Sequence, residues 1–521
     1  MIRLRNVLIA LCGGLALAAC NGDDGDEAAL TPGDGGMPQP GAPPPGTPQP
    51  GTLLEAPALV KSYTVNDLLA ALSSGEATQF IADLITSPVC GVDVYQIRYQ
   101  TVGASSEPTT ASGALMVPTG ADASCQGARS IVLYAHGTST DRAFNIANLQ
   151  SSTEGAAIGA MFAANGYLVV APNYAGYDTS SLPYHPYLLA DQQAKDMTDA
   201  LTAARSALPV SSAPTIVDDG KLFITGYSQG GYVAMATHRA MQAVGTTVTA
   251  SAPLSGPYAL AAFGDAIFQG RVNGDAPVNL TMLVTAYQRA YGDIYTNPTD
   301  VFEARYATGI ETLLPNTVGI GDLVSQGKLA ENALFSTTPP APEFAPLTPA
   351  TEPAELAPVF ALGFGPDNLI TNNYRLAYLQ DTQVAPDGGF PTVTDGLPPA
   401  NPSQTLRRAL RANDLRNWTP NAPVLLCGGG NDPTVFFFNT ELMQSYWTAN
   451  PPAAPVTVVN IDSSGEPYSD LRDSFAAAKD SVRVGAVVSG EDEDEAVLKA
   501  YHAGLVSPFC LAAAKRFFDG L

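Results

Sequence analysis

An apolar run at Lys221–Thr225 breaks at Gly226-Tyr227-Ser228-Gln229-Gly230, and a helical stretch from Gly231 to Gln242 follows at once. A chain that turns from strand to helix this tightly needs glycine on both sides of the crest, because side chains there would collide with the flanking strand and helix. The turn therefore demands a buried strand feeding a helix, and the rest of the chain is read around that unit. Val92–Val102 and Thr110–Val117 alternate polar and apolar residues like an antiparallel pair, whereas Ser130–Ala135 and Tyr167–Ala171 are short apolar runs of the buried, parallel type. Asp191–Leu208 reads as a helix and Thr246–Ala252 as a strand. From Phe263 to Pro420 the strand pattern stops, and helical segments such as Leu280–Tyr291 and Asn368–Leu379 are separated by Pro-rich loops. The β/α rhythm resumes with a strand at Pro423–Cys427, a helix at Asn439–Trp447, a strand at Pro455–Ile461 and a helix at Pro508–Phe518. These readings predict a mixed, mostly parallel sheet with flanking helices and a large helical insertion, with no internal repeat.

A serine at the crest of such a turn is a candidate nucleophile, but with 48 glycines in the chain the pattern is weak without its strand and helix. Its base is sought among four histidines, His136, His185, His238 and His502. In this strand–turn–helix arrangement the order is serine, acid, histidine, which leaves His238 and His502. His238 lies well along the helix that begins at the turn and is carried away from the hydroxyl. His502 is expected in a loop before the terminal helix, where a base can reach back over the sheet. Asp432 follows the strand Val424–Cys427 in a Gly428-Gly429-Gly430 loop and is the expected orienting acid; Asp462, at the end of the next strand, is its rival, and the run Glu491–Glu495 reads as a solvated acidic loop. Acyl transfer also needs two N–H groups for the developing oxyanion. One is assigned to Gln229. The other is assigned to Thr138 in the turn Tyr134-Ala135-His136-Gly137-Thr138, with Gly137 as the alternative and His136 shaping the loop.

The amino terminus points to export. Arg3 and Arg5 precede an apolar stretch, Val7–Ala19, too short to span a bilayer. Leu17-Ala18-Ala19-Cys20 resembles a bacterial lipobox, in which Cys20 becomes the lipid anchor; an ordinary signal cut elsewhere is the alternative. The following segment carries Pro38-Gln39-Pro40, Pro43-Pro44-Pro45 and Pro48-Gln49-Pro50 and reads as a semi-extended tether. Expected boundaries are 1–19 signal, 20–55 tether, 56–262 first core segment, 263–420 insertion and 421–521 second core segment. Setting aside Cys12 and Cys20 leaves Cys90, Cys125, Cys427 and Cys510, an even number suited to two disulfides in an oxidising compartment. Of three possible pairings we favour Cys90 with Cys125 and Cys427 with Cys510. No CxxC or His-rich cluster accompanies them, so no metal is expected, and no cofactor is implied. A net charge of -24 without a Lys/Arg cluster argues against nucleic acid as a partner.

His136-Gly137, Pro172-Asn173-Tyr174-Ala175-Gly176-Tyr177, His185-Pro186-Tyr187-Leu188, the Gly226–Gly231 turn, the Asp432 loop and His502 together resemble the α/β-hydrolase superfamily. Within it they are most similar to the secretory lipase branch of the fungal lipase A type, although Asn173 stands where relatives commonly carry Asp. The resemblance covers most of the chain from about residue 90 onward and is specific at these motifs. It implies serine-dependent cleavage of small-molecule or lipid carboxylic esters beneath a helical cap. A serine peptidase with the same residues, or a non-catalytic surface-anchored binding protein, are the alternatives. In the cap, Leu283, Tyr287, Tyr291, Phe360, Phe364 and Tyr374 are candidates to line an acyl pocket.

Overall fold

Alternation of buried side chains builds the core sheet. On the second strand Tyr95, Ile97 and Tyr99 face one layer while Val92 and Val94 face the other, and in the fourth Ile131 and Leu133 oppose Val132 and Tyr134. The computed structural model describes residues 49–72, 84–85 and 88–521. The expected signal, Cys20 and the tether up to residue 48 lie outside the described residues.

The described strands are β1 (Ala58–Tyr63), β2 (Gly91–Val102), β3 (Pro108–Thr119), β4 (Ala128–Ala135), β5 (Leu168–Pro172), β6 (Val217–Tyr227), β7 (Ala250–Leu254), β8 (Val424–Gly428) and β9 (Val456–Asn460). They form one sheet in the order β1-β2-β3-β5-β4-β6-β7-β8-β9. The first three junctions are antiparallel and the rest are parallel. Helices Ala190–Ala207 and Gln229–Ala243 cover one face; Thr153–Met161 and Ser507–Asp519 cover the other. This is the mixed, mostly parallel sheet expected from the sequence.

Several elements depart from the sequence reading, among them helix Thr153–Met161, which was not expected between β4 and β5. Strand β1 was not foreseen, because five of its six residues are exposed at the sheet edge and carry no core pattern. Helix Ser469–Ser489 was also missed: its face is broken by exposed Val484, Val487 and Val488. The stretch around His502 is not a loop. Helix Glu493–Ala500 runs through a π-helical turn, Tyr501–Val506, into the terminal helix, and the acidic run supplies the cap and first turn of that segment, with Asp492 accepting from the Glu495 N–H at 2.9 Å.

Between β7 and β8 lies the cap, with helices Leu260–Phe268, Ala276–Tyr291, Asn372–Val384 and Thr405–Ala412. Its first helix starts ahead of residue 263. Two arginines knit it. Arg407 holds Asp265 through Nε and Nη2 at 2.9 and 2.7 Å and Asp381 at 2.6 Å, with all three side chains buried. Arg416 bridges Asp387 and Asp414 in the same way. Removing one partner of such a cluster strands a buried charge.

Candidate active site

The crest of the turn after β6 is a strained serine. Ser228 has φ 59° and ψ -120°, outside the regions favoured by non-glycine residues, and its N–H donates to Leu254 O of β7 at 3.0 Å. A Cβ on Gly226 would meet Ala135 O at 2.4 Å, and one on Gly230 would meet the same oxygen at 2.0 Å. The glycines are there because β4 passes this close. The strain is held in place by β4, β7 and the helix Gln229–Ala243.

Asp432, in the loop after β8, and His502, in the π-helical turn, come together from segments far apart in the chain. His502 Nδ1 lies 2.7 Å from Asp432 Oδ2, while Asp432 Oδ1 accepts the N–H groups of Thr434 and Val435 at 2.9 and 3.0 Å. The carboxylate is 1% exposed. With Nδ1 against Asp432, the other ring nitrogen, Nε2, is buried and has no hydrogen bond. His502 lines the same cavity as Ser228, with no hydrogen bond between them. Such contacts commonly tighten only when substrate is bound. The rival acid Asp462 does not reach the imidazole: it accepts from Tyr501 Oη at 2.5 Å and pairs with Lys479. His238 is buried against Ser251 Oγ at 2.8 Å, away from the cavity-lining residues.

Several residues brace this pair. The disulfide Cys427–Cys510 joins the end of β8 to the terminal helix, and Cys90–Cys125 closes the early β2–β3 segment. Tyr227 Oη donates to His502 O at 2.5 Å, and its ring lies 4.9 Å from the imidazole. Tyr501 Oη accepts the Asn431 N–H at 3.1 Å, tying the acid loop to the histidine turn. Neither tyrosine was singled out from sequence. Tyr227 stood inside the recognised motif, but its partner is fixed only by the fold.

At the opposite side of the serine is the turn after β4. The Gly137 N–H donates to Glu154 Oε1 at 3.0 Å, so the Gly137 alternative is engaged elsewhere, while Thr138 lines the cavity. His136 Nδ1 lies 2.6 Å from Gly137 O, and burial depresses this histidine to about 4, so it stays neutral. Gln229 also lines the cavity, and its side-chain Nε2 sits 2.7 Å from His185 Nε2. The other His185 nitrogen faces Ala175 O at 2.9 Å, and burial lowers this ring to about 3. A neutral His185 donating to Ala175 O and accepting from Gln229 uses both ring nitrogens, while Gln229 Oε1 is left without a partner.

The cavity holds about 810 Å³ and reaches from Ser228 and His502 into the cap. Its walls are mainly apolar, with Leu260, Phe263, Ile267, Leu280, Leu283 and Leu410 prominent, and Glu154 and Asp275 are the acidic side chains on it. Of the six cap residues proposed from sequence, Leu283 lines it. Phe360 instead borders a smaller cavity of about 380 Å³ beside Asp432. Tyr287 is buried and donates to Leu188 O, Tyr291 accepts from Asn413, and Phe364 and Tyr374 pack around Arg375 and Phe268. Tyr287, Phe364 and Tyr374 pack within the cap and against the core, whereas Tyr291 is exposed. Among the described residues no group of three or more histidine, cysteine or carboxylate side chains is arranged to hold a metal ion.

The sheet order, the strained turn after β6 and the cap between β7 and β8 define an α/β-hydrolase fold. Residues 156–290, which include the Ser228 turn and end before Asp432, match the prolyl oligopeptidase family. The chain is similar to the rice cell wall degrading esterase LipA from Xanthomonas oryzae, at 28% identity and a TM-score of 0.60 over 79% of this chain and 91% of that one. A ligand-bound form of LipA gives 24% identity and a TM-score of 0.64 over 90% and 98%. A Legionella pneumophila protein shares the fold at 18% identity and a TM-score of 0.60 over 90% and 97%. No curated protein matches the sequence.

Proposed function

We propose that this chain is a serine hydrolase of carboxylic esters. Ser228 attacks the ester carbonyl, His502 Nε2 takes its proton and passes it to the departing alcohol, and Asp432 holds the imidazole tautomer and steadies its charged form. The N–H groups of Gln229 and Thr138 receive the oxyanion, and water then releases the acid from Ser228. The observation that carries the reading is the 2.7 Å Asp432–His502 contact on the cavity that also exposes the strained Ser228. The similarity to an esterase at 28% identity supports ester over amide chemistry. The apolar cavity suits an acyl chain, in keeping with the lipase-like motifs at His136, Asn173 and His185.

The prolyl oligopeptidase match favours a second reading, a serine peptidase using the same residues. Short- and long-chain p-nitrophenyl esters assayed beside a prolyl p-nitroanilide separate the two. Ester turnover that exceeds amide turnover by orders of magnitude supports the esterase; efficient anilide cleavage supports the peptidase.

We further propose that Cys20 carries lipid and tethers the enzyme in the bacterial cell envelope. Two disulfides support an oxidising compartment. Cys20→Ser should move the enzyme from the membrane fraction to the soluble fraction with unchanged specific activity; persistent membrane association contradicts the anchor.

A further inference from the structure

A carboxyl group on the cavity wall has no part in the mechanism above. Glu154 sits in the first turn of helix Thr153–Met161, whose Ser152 cap accepts from the Gly155 N–H at 3.0 Å and whose body from Gly155 to Met161 is buried. Its backbone is therefore rigid. Glu154 Oε1 receives two donors: the Tyr134 hydroxyl at 2.7 Å and the Gly137 N–H at 3.0 Å. Both come from one piece of chain, the end of β4 and the turn that follows it. Desolvating a carboxyl costs free energy unless donors and a helix N-terminus compensate, and both are present. Burial still pushes its pKa upward.

From this geometry we infer that Glu154 is the positioning residue of the oxyanion turn. The Gly137–Thr138 peptide carries the Thr138 N–H on one edge and the Gly137 carbonyl on the other. His136 lies between two carbonyls, Nδ1 at 2.6 Å from Gly137 O and Nε2 at 3.1 Å from Asn173 O; the shorter contact assigns the neutral ring's one N–H to the Gly137 carbonyl edge, and the N–H edge of that peptide faces the opposite way. The remaining freedom of that peptide is rotation about the Gly137 backbone, which glycine permits widely. Glu154 removes it by gripping the preceding N–H. Without that grip the Thr138 N–H loses its fixed aim, and a donor that must reorganise during reaction stabilises the oxyanion less. The inference rests on the hydrolase reading of Ser228.

The test uses the full chain with Glu154→Ala, Glu154→Asp and Glu154→Gln, rates being expressed per active site titrated with a fluorophosphonate. Alanine deletes the acceptor, and aspartate withdraws it by one methylene while keeping the charge. Both should lower kcat about 10- to 100-fold, with KM within about twofold and a matching loss of affinity for a trifluoromethyl ketone, whose hemiketal oxyanion occupies the hole. Glutamine keeps an acceptor oxygen and should restore kcat to within about threefold of the parent. Wild-type kcat in both the alanine and aspartate variants overturns the inference, as does a glutamine variant as slow as alanine. A parent enzyme that neither hydrolyses esters nor labels at Ser228 instead overturns the hydrolase reading beneath it.

Discussion

The core loops around Ser228 and the cap above them are built on different principles. In the core, backbone geometry dictates the site: glycines pressed against β4 force Ser228 to the crest, and a disulfide braces the acid and histidine segments. In the cap, the organising contacts are buried side-chain clusters around Arg407 and Arg416, and the helices between them vary in length and are linked by Pro-rich loops. The difference is a division of labour: the proposed catalytic residues sit where backbone packing against β4 and β7 leaves little room, and the cavity above them is walled by side chains whose placement is set by packing within the cap.

The sharpest way to break this division is to remove its chemical half. Ser228→Ala or His502→Ala should each lower ester turnover by on the order of a thousandfold or more while leaving the melting temperature near the parent value, because the two act as one unit. Next, Asp432→Asn should cost on the order of hundreds- to ten-thousand-fold in kcat by favouring the wrong tautomer. Asp462→Asn should cost far less, since Asp462 touches Tyr501 and Lys479 and not the imidazole. A reversed ranking moves the acid role to Asp462.

In the cap the expected signature is different. Arg407→Met leaves Asp265 and Asp381 buried without their cation and should destabilise the protein by about 3–5 kcal/mol, read as a lowered denaturant midpoint. Leu283→Trp or Leu410→Trp should depress kcat/KM for long-chain relative to short-chain esters by about tenfold, with fluorophosphonate labelling of Ser228 retained. An unchanged chain-length profile would place the acyl chain outside the cap.

How much was legible follows the same line. Ser228, Asp432 and His502 were singled out because a tight turn, a glycine loop and a shortage of histidines restrict the choices. The two disulfides are paired as expected, Cys90 and Cys125 bracketing the early β2–β3 segment and Cys427 and Cys510 lying near the end of the chain. The π-helical setting of His502 was not legible, because no breaker separates helix Glu493–Ala500 from the turn that follows. Tyr227 and Glu154 escaped notice because a tyrosine in a turn and an acid in a helix's first turn have ordinary local explanations; their partners lie 275 and 17 residues away in sequence. The cap lining was the least legible, since aromatic residues such as Tyr287 and Phe364 fill an interior of their own.

A separate prediction concerns pH. Burial depresses His238 to about 4, below its ordinary value near 6.5. A depressed pKa gives stability that is complete above pH 6.5 and is lost as pH falls towards 4. The stability advantage of the parent over His238→Gln in denaturant titrations should therefore shrink between pH 7 and pH 4. An advantage that grows in acid would contradict a neutral, buried His238.

The central claim, that Ser228 is the acylated nucleophile served by His502, is tested most directly by intact-protein and peptide mass spectrometry after reaction with a fluorophosphonate. A single adduct is expected on Ser228, forming far more slowly in His502→Ala and absent in Ser228→Ala. Ester hydrolysis that persists at the parent rate in a folded Ser228→Ala protein, with the adduct on another residue, would contradict it.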